Sequence, residues 1–206
     1  MRKIHTFLVL TAVMGISALA LLVAQPVSEV QNLPVTVSPV SGTSSESEGI
    51  LYMREEEKLA RDVYLALYEK WGIRTFSNIA QAEQTHMDRV GALIEAQGLV
   101  DPVTGSQPGE FKNPELAELY ASLVELGSKS IQDALIVGAI IEDLDIYDLE
   151  NYLSETDDPA SIAVYTNLLR GSENHMRSFT RQLRWYGIAY EARYITSERL
   201  EEILSR

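Results

Sequence analysis

Residues 53–71 read MREEEKLARDVYLALYEKW. Taken in steps of three and four, Met53, Glu57, Ala60, Tyr64, Leu67 and Trp71 fall on one face, the spacing of an amphipathic α-helix that Gly72 stops. That face is apolar except at Glu57, where a carboxylate stands in the seam. A dry core accepts an unpaired carboxylate only at a cost of several kcal/mol. The glutamate therefore needs either solvent or a cation.

Three further segments repeat the anomaly. From about Ser77 to Gln97 the inward stripe is Ile79, Glu83, His86, Val90 and Leu93. After a loop from Gly98 to Asn113 rich in Pro and Gly, Pro114 opens a short helix to about Leu126. Ser130 and Asp133 make a capping-box-like start for a helix to about Leu153, with the stripe Ile131, Leu135, Gly138, Glu142, Asp145 and Leu149. Pro159 opens the last long helix, to about Trp185, with the stripe Tyr165, Leu168, Ser172, His175 and Phe179. Almost no segment alternates with a strand period, so the fold class is all-α.

Each ionisable residue has a bland reading alone. Glu57 lies in an acidic run that a helix start favours. Glu83 to His86 is one E-x-x-H, a lone His175 is most often a satisfied core histidine, and Glu142 to Asp145 lies in an acidic run of the kind that faces solvent. Four such coincidences at the same level of four stripes are harder to accept. Glu57, Glu83, Glu142 and Asp145 supply four carboxylates, and His86 and His175 supply two imidazoles. Hard oxygen donors with two nitrogens suit iron or manganese, with zinc as an alternative, and four carboxylates balance two divalent ions. Of the three histidines, only His5 is left out of this constellation.

Composition narrows the classes. The 206 residues carry 17 Lys+Arg against 30 Asp+Glu, a net charge of −13, which disfavours nucleic acid as a partner. The absence of cysteine removes disulfides, thiol catalysis, iron–sulfur clusters and lipid-modified cysteine anchors. Residues 1–24 begin with Arg2 and Lys3 and continue as an uncharged apolar run from Phe7 to Ala24, the pattern of an export signal or, uncleaved, a membrane anchor. Residues 25–49, with Pro26, Pro34, Pro39 and a Ser/Thr/Glu stretch, read as a linker. The expected order is thus signal or anchor 1–24, linker 25–49, helical domain 50–184, and an aromatic and amphipathic tail 185–206. The tail is expected to pack on the helices or on a second copy in a homodimer. The domain is expected outside the cytoplasmic membrane, in contact with it only through an uncleaved first segment.

The segment EKLARDVY from Glu57 to Tyr64, AEQTH from Ala82 to His86, and Glu142-x-x-Asp145 resemble the helix motifs of the ferritin-like superfamily, in particular its rubrerythrin and erythrin type. EEEKLARDVY, the run from Ile141 to Leu149 and GSENHMRSF from Gly171 to Phe179 are similar to the prokaryotic domain of unknown function 2202. The resemblance implies an antiparallel four-helix bundle with a long crossover carrying a short extra helix. It also implies two iron ions held by Glu57, Glu83, His86, Glu142, Asp145 and His175, with ferroxidase or peroxidase-type chemistry toward peroxide or oxygen. One position departs from the rubrerythrin pattern: Ser172 stands where the fourth helix would carry a glutamate, with Asp145 as its replacement. Gly138 and Ala139, one turn before Glu142, are expected to leave room for an oxidant, and Tyr64 could relay an electron or serve only as core. Two other functions share the same residues. One is a non-catalytic envelope metal binder. The other is a metal-free structural bundle whose acidic seam is neutralised by Arg61, Arg89, Arg177 and Arg181.

Overall fold

Helix ends fall where the capping chemistry sits. Asn113, Ser130, Asp158 and Thr196 each accept a backbone N–H of the first turn with their side chains, and Pro114 and Pro159 occupy the first helical position. The computed structural model describes residues 46–206. Among these residues there are six helices and no strand: α1 Glu46–Trp71, α2 Arg74–Ala96, α3 Pro114–Gly127, α4 Ile131–Glu155, α5 Pro159–Trp185 and α6 Ser197–Ser205. Residues 1–24, read above as an export signal or anchor, and the expected linker as far as residue 45 lie outside the described residues. No helix among the described residues is long and apolar enough to cross a membrane.

The helix boundaries match the periodicity except at one end. α1 begins at Glu46, five residues before the start near Leu51 that the periodicity predicts. Two contacts account for the extension. Glu46 Oε1 accepts from Thr156 and Ser161, and Gly49 lies so close to the Tyr152 ring that a Cβ there would stand 2.7 Å from it. Neither contact leaves a periodic trace.

α1 packs chiefly on α2, and α4 on α5, while α3 crosses between them and touches both α1 and α4. One apolar cluster runs through all of them, from Ile50 and Met53 to Phe179 and Leu183. Its best defined part is an aromatic triad, with Tyr64, Phe76 and Phe179 at centroid separations of 5.4–6.2 Å. The Phe179 ring fills the space that Gly138 leaves, since a Cβ on Gly138 would come within 2.4 Å of it. The room expected there for an oxidant is therefore taken by the chain's own core.

The tail packs on the chain itself. Ile195, Leu200 and Ile203 join the core, and a buried carboxylate holds the approach to them. Asp143 accepts from the backbone N–H of Arg193, Tyr194 and Ile195 and from the Tyr190 hydroxyl. Glu173 receives Arg199 and Arg206 in the same region. The loop between α2 and α3 is fastened in the same manner. Glu55 accepts from the amides of Lys112 and Asn113, and Asp62 binds Lys58, Arg61 and the Gly109 amide.

Candidate metal centre

Glu57 comes from α1, Glu83 and His86 from α2, Glu142 and Asp145 from α4, and His175 from α5. All six residues are at least nine-tenths buried. Because i and i+3 lie on one face, Glu83 and His86 reach the same point from one turn of α2. Glu83 stands at the middle of the group. Its Oε2 lies 2.7 Å from His86 Nδ1, and its Oε1 lies 2.8 Å from His175 Nδ1. Outward from this centre, His86 Nδ1 is 3.2 Å from Glu57 Oε2, and His175 Nδ1 is 3.4 Å from Glu142 Oε2. The two imidazoles stack at a centroid distance of 5.7 Å.

Two sets of three donors result, Glu57 with Glu83 and His86, and Glu83 with Glu142 and His175. Within each set the donor atoms lie within 4.8 Å of one another. Several of these atoms are close without being hydrogen-bonded. Glu57 Oε1, Glu83 Oε1, Asp145 Oδ1 and His175 Nδ1 are all buried and lack a hydrogen-bond partner. Glu83 Oε1 and His175 Nδ1 meet each other as an ion pair, and Glu57 Oε1 and Asp145 Oδ1 meet nothing, which is costly for buried polar atoms. Carboxylates and imidazoles that converge in this way on common points can exchange their mutual contacts for a shared cation.

Asp145 is the member that stands aside. Its Oδ2 accepts from the Ser172 hydroxyl, and it belongs to neither set of three. The serine that departs from the rubrerythrin pattern is thus the residue that orients the aspartate. Glu173, next in sequence, turns away and pairs with Arg199. Tyr64 donates its hydroxyl to Glu142 Oε1 and so fixes that carboxylate from the α1 side. Gly171 makes room for an imidazole, since a Cβ there would come within 2.5 Å of the His86 ring.

The electrostatics follow from burial and from the alternation of acid and base. Burial alone would lower the His86 pKa, but Glu57 and Glu83 push it up to about 11. His175 is likewise raised by Glu83 and Glu142 against the effect of burial. Burial would raise Glu83, but the two histidines hold it below the usual carboxylate range. Glu57 is pushed up by burial to about 7, with His86 pulling the other way. Burial, together with Glu57 and Glu142, raises Asp145 well above its usual range. The glutamates on either side thus favour the protonated form of both imidazoles in the metal-free chain.

The arginines expected to neutralise the seam do other work. Arg61 binds Asp62 and Gln84, Arg177 binds the Ile203 carbonyl and Asn174, and Arg89 and Arg181 are exposed. Sequence reasoning also passed over Glu56 and Asp148, which are 2% and 3% exposed and lie one helical step from the centre. Both sit in acidic runs that read as solvated. The signal that could have found them is Tyr52 and Tyr152, each four residues away on the same face.

An all-helical chain with two buried carboxylate–histidine groups is the class that fold and geometry define. Residues 46–206 match the domain described as "Uncharacterized protein domain (DUF2202)", and the chain belongs to that family. It is 54% identical over 167 residues to the "Uncharacterized protein MJ0754" of Methanocaldococcus jannaschii, covering 81% of this chain and 89% of that protein. It is also similar to the crystal structure of hypothetical protein MJ0754 from Methanococcus jannaschii, with a TM-score of 0.78 and 54% identity. That match covers 82% of this chain and 97% of the other.

Proposed function

We propose that the four long helices form a ferritin-like antiparallel bundle around a carboxylate-bridged pair of metal ions, and that the protein carries out redox chemistry there outside the cytoplasmic membrane, to which residues 1–24 deliver it. Iron is the metal of choice, with manganese or zinc as substitutes. The observation that carries the reading is Glu83, whose two oxygens each face a different histidine and a different group of donors. One ion would be held by Glu57, Glu83 and His86, and the other by Glu83, Glu142 and His175, with Asp145 adding its unpartnered Oδ1 from the side.

When bound, a pair of iron ions supplies two electrons, one from each, to an oxidant such as peroxide or oxygen. The chain's own part is to hold and to shield. Tyr64 keeps Glu142 in place through its hydroxyl. Tyr64, Phe76 and Phe179 exclude water on that side, and Gly171 leaves His86 its position. The imidazoles give up protons as metal enters, which His86 and His175 otherwise retain. A second reading, a metal buffer without turnover, is favoured by one observation: Ser172 removes a fourth-helix acid and ties Asp145 to itself.

The test is oxidation of Fe(II) by hydrogen peroxide in the full chain, loaded without air. Oxidation faster than that of free Fe(II), and lost in Glu83→Ala, supports the redox reading. Tight binding with no acceleration supports the buffer. A chain that takes up no metal contradicts both.

A further inference from the structure

Nearly every buried acid outside the centre has a donor of the chain's own. Glu55 has two backbone amides, Asp62 has Lys58 and Arg61, Asp143 has three amides and a tyrosine, and Glu173 has Arg199. Glu56 does not. Both of its oxygens are buried without a hydrogen-bond partner, and Asp148 Oδ2 beside it is in the same state. Glu56 on α1 and Asp148 on α4 are almost fully buried, on two helices that pack against each other. Two phenols flank them. Tyr52 lies one turn before Glu56 on α1, and Tyr152 lies one turn after Asp148 on α4. Each of these tyrosines is 8% exposed, and each hydroxyl is buried without a partner and lies in the field of both acids.

Five unpartnered buried oxygens gathered in one place are more than shape or packing needs. Both Glu56 oxygens and Asp148 Oδ2 lack a hydrogen-bond partner, so an apolar residue at Glu56 would lose no hydrogen bond of the kind that fastens the other buried acids. What such a group fits is a cation. We propose that Glu56 and Asp148, flanked by the Tyr52 and Tyr152 hydroxyls, form a third cation position separate from the two histidine-containing ones. Its donors are all oxygen, so it takes a hard divalent ion, whereas each central group offers a nitrogen. Asp145 lies between the two places, one helical step from Asp148 and in the field that Glu56 feels. Tyr152 also lines a cleft of about 300 Å³ walled by Glu46, Glu155, Asp157 and Asp158.

Mn(II) titration of the full chain, counting the free ion by its paramagnetic resonance signal, tests this. The parent should bind about three equivalents, and Glu56→Gln/Asp148→Asn about two. The amide variants keep the shape and remove the charge, so their metal-free melting temperature should not fall, and this guards against loss of fold. Excess Mg(II) should displace about one Mn(II) from the parent and none from the amide variant. A folded Glu56→Gln/Asp148→Asn variant that binds as much Mn(II) as the parent overturns the proposal. A folded variant that loses all its Mn(II) also overturns it, because Glu56 would then be supporting the centre. The dimetal reading fails separately. If the parent binds about one ion, kept in His86→Ala/His175→Ala and lost in the amide variant, this position stands and the central pair does not.

Discussion

Two sets of buried carboxylates share α1 and α4 and do opposite things. Glu55, Asp62, Asp143 and Glu173 are inside, and each is met by a fixed amide or arginine from a distant part of the chain, Asp62 also by its α1 neighbours Lys58 and Arg61. They fasten the long loop and the tail to the helices. Glu57, Glu83, Glu142 and Asp145 are equally buried, yet they meet chiefly two histidines, a tyrosine and a serine, and leave several atoms unpaired. Burial is common to both sets, so burial does not mark a site. The partner does: an acid satisfied by a fixed donor is scaffold, and one facing a titratable, metal-competent donor is a centre.

Breaking the scaffold set should cost stability and leave metal content alone. Asp143→Asn keeps the shape but weakens charge-assisted bonds to three amides and a phenol, and should destabilise the fold by on the order of 3 kcal/mol. Denaturant unfolding measures the loss, and metal analysis of the folded fraction should match the parent. If the variant lost metal as well as stability, the separation between the two sets would be false.

The centre should differ from the scaffold in its response to pH. His86 and His175 hold protons in the metal-free chain because the glutamates beside them raise both, His86 to about 11. Metal must displace those protons, so affinity should rise with pH, by roughly tenfold per unit for each proton released. Calorimetry in buffers of different ionisation enthalpy counts the protons directly. An affinity independent of pH between 6 and 9 would mean that the imidazoles have no proton to release when metal enters, and would contradict the raised histidines.

A smaller effect should sharpen the geometry within the centre. Gly171→Ala puts a methyl group where the His86 ring lies, so the ring must move. Binding at the Glu57 position should weaken severalfold while the Glu142 position keeps its affinity, visible as two unequal steps in a titration. Equal weakening of both would show that Glu83 transmits the displacement.

Much of this architecture is written in the helix period. The stripes align Glu57, Glu83, His86, Glu142 and His175 because a three- or four-residue step repeats wherever a helix buries one face, and a charged residue on that face is conspicuous. What the period does not carry is partnership across long separations. Asp143 reads as part of a solvated acidic run, and only the fold shows the amides of residues 193–195 closing on it. The same holds for Glu55 with the loop amides of residues 112 and 113. Glu56 and Asp148 were hidden by acidic neighbours, which make any one carboxylate look exposed. Gly138 misled for another reason: a missing side chain suggests space, but Phe179 from α5 fills it.

The central claim is tested most directly by counting metal. The full chain, loaded anaerobically with Fe(II) and freed of loose ions, should keep about two equivalents on the histidine-containing groups, and His86→Ala/His175→Ala should lose both while retaining its helical signal. If the double variant folds and holds as much iron as the parent, the buried acids and histidines are not a metal centre, and the account built on them is wrong.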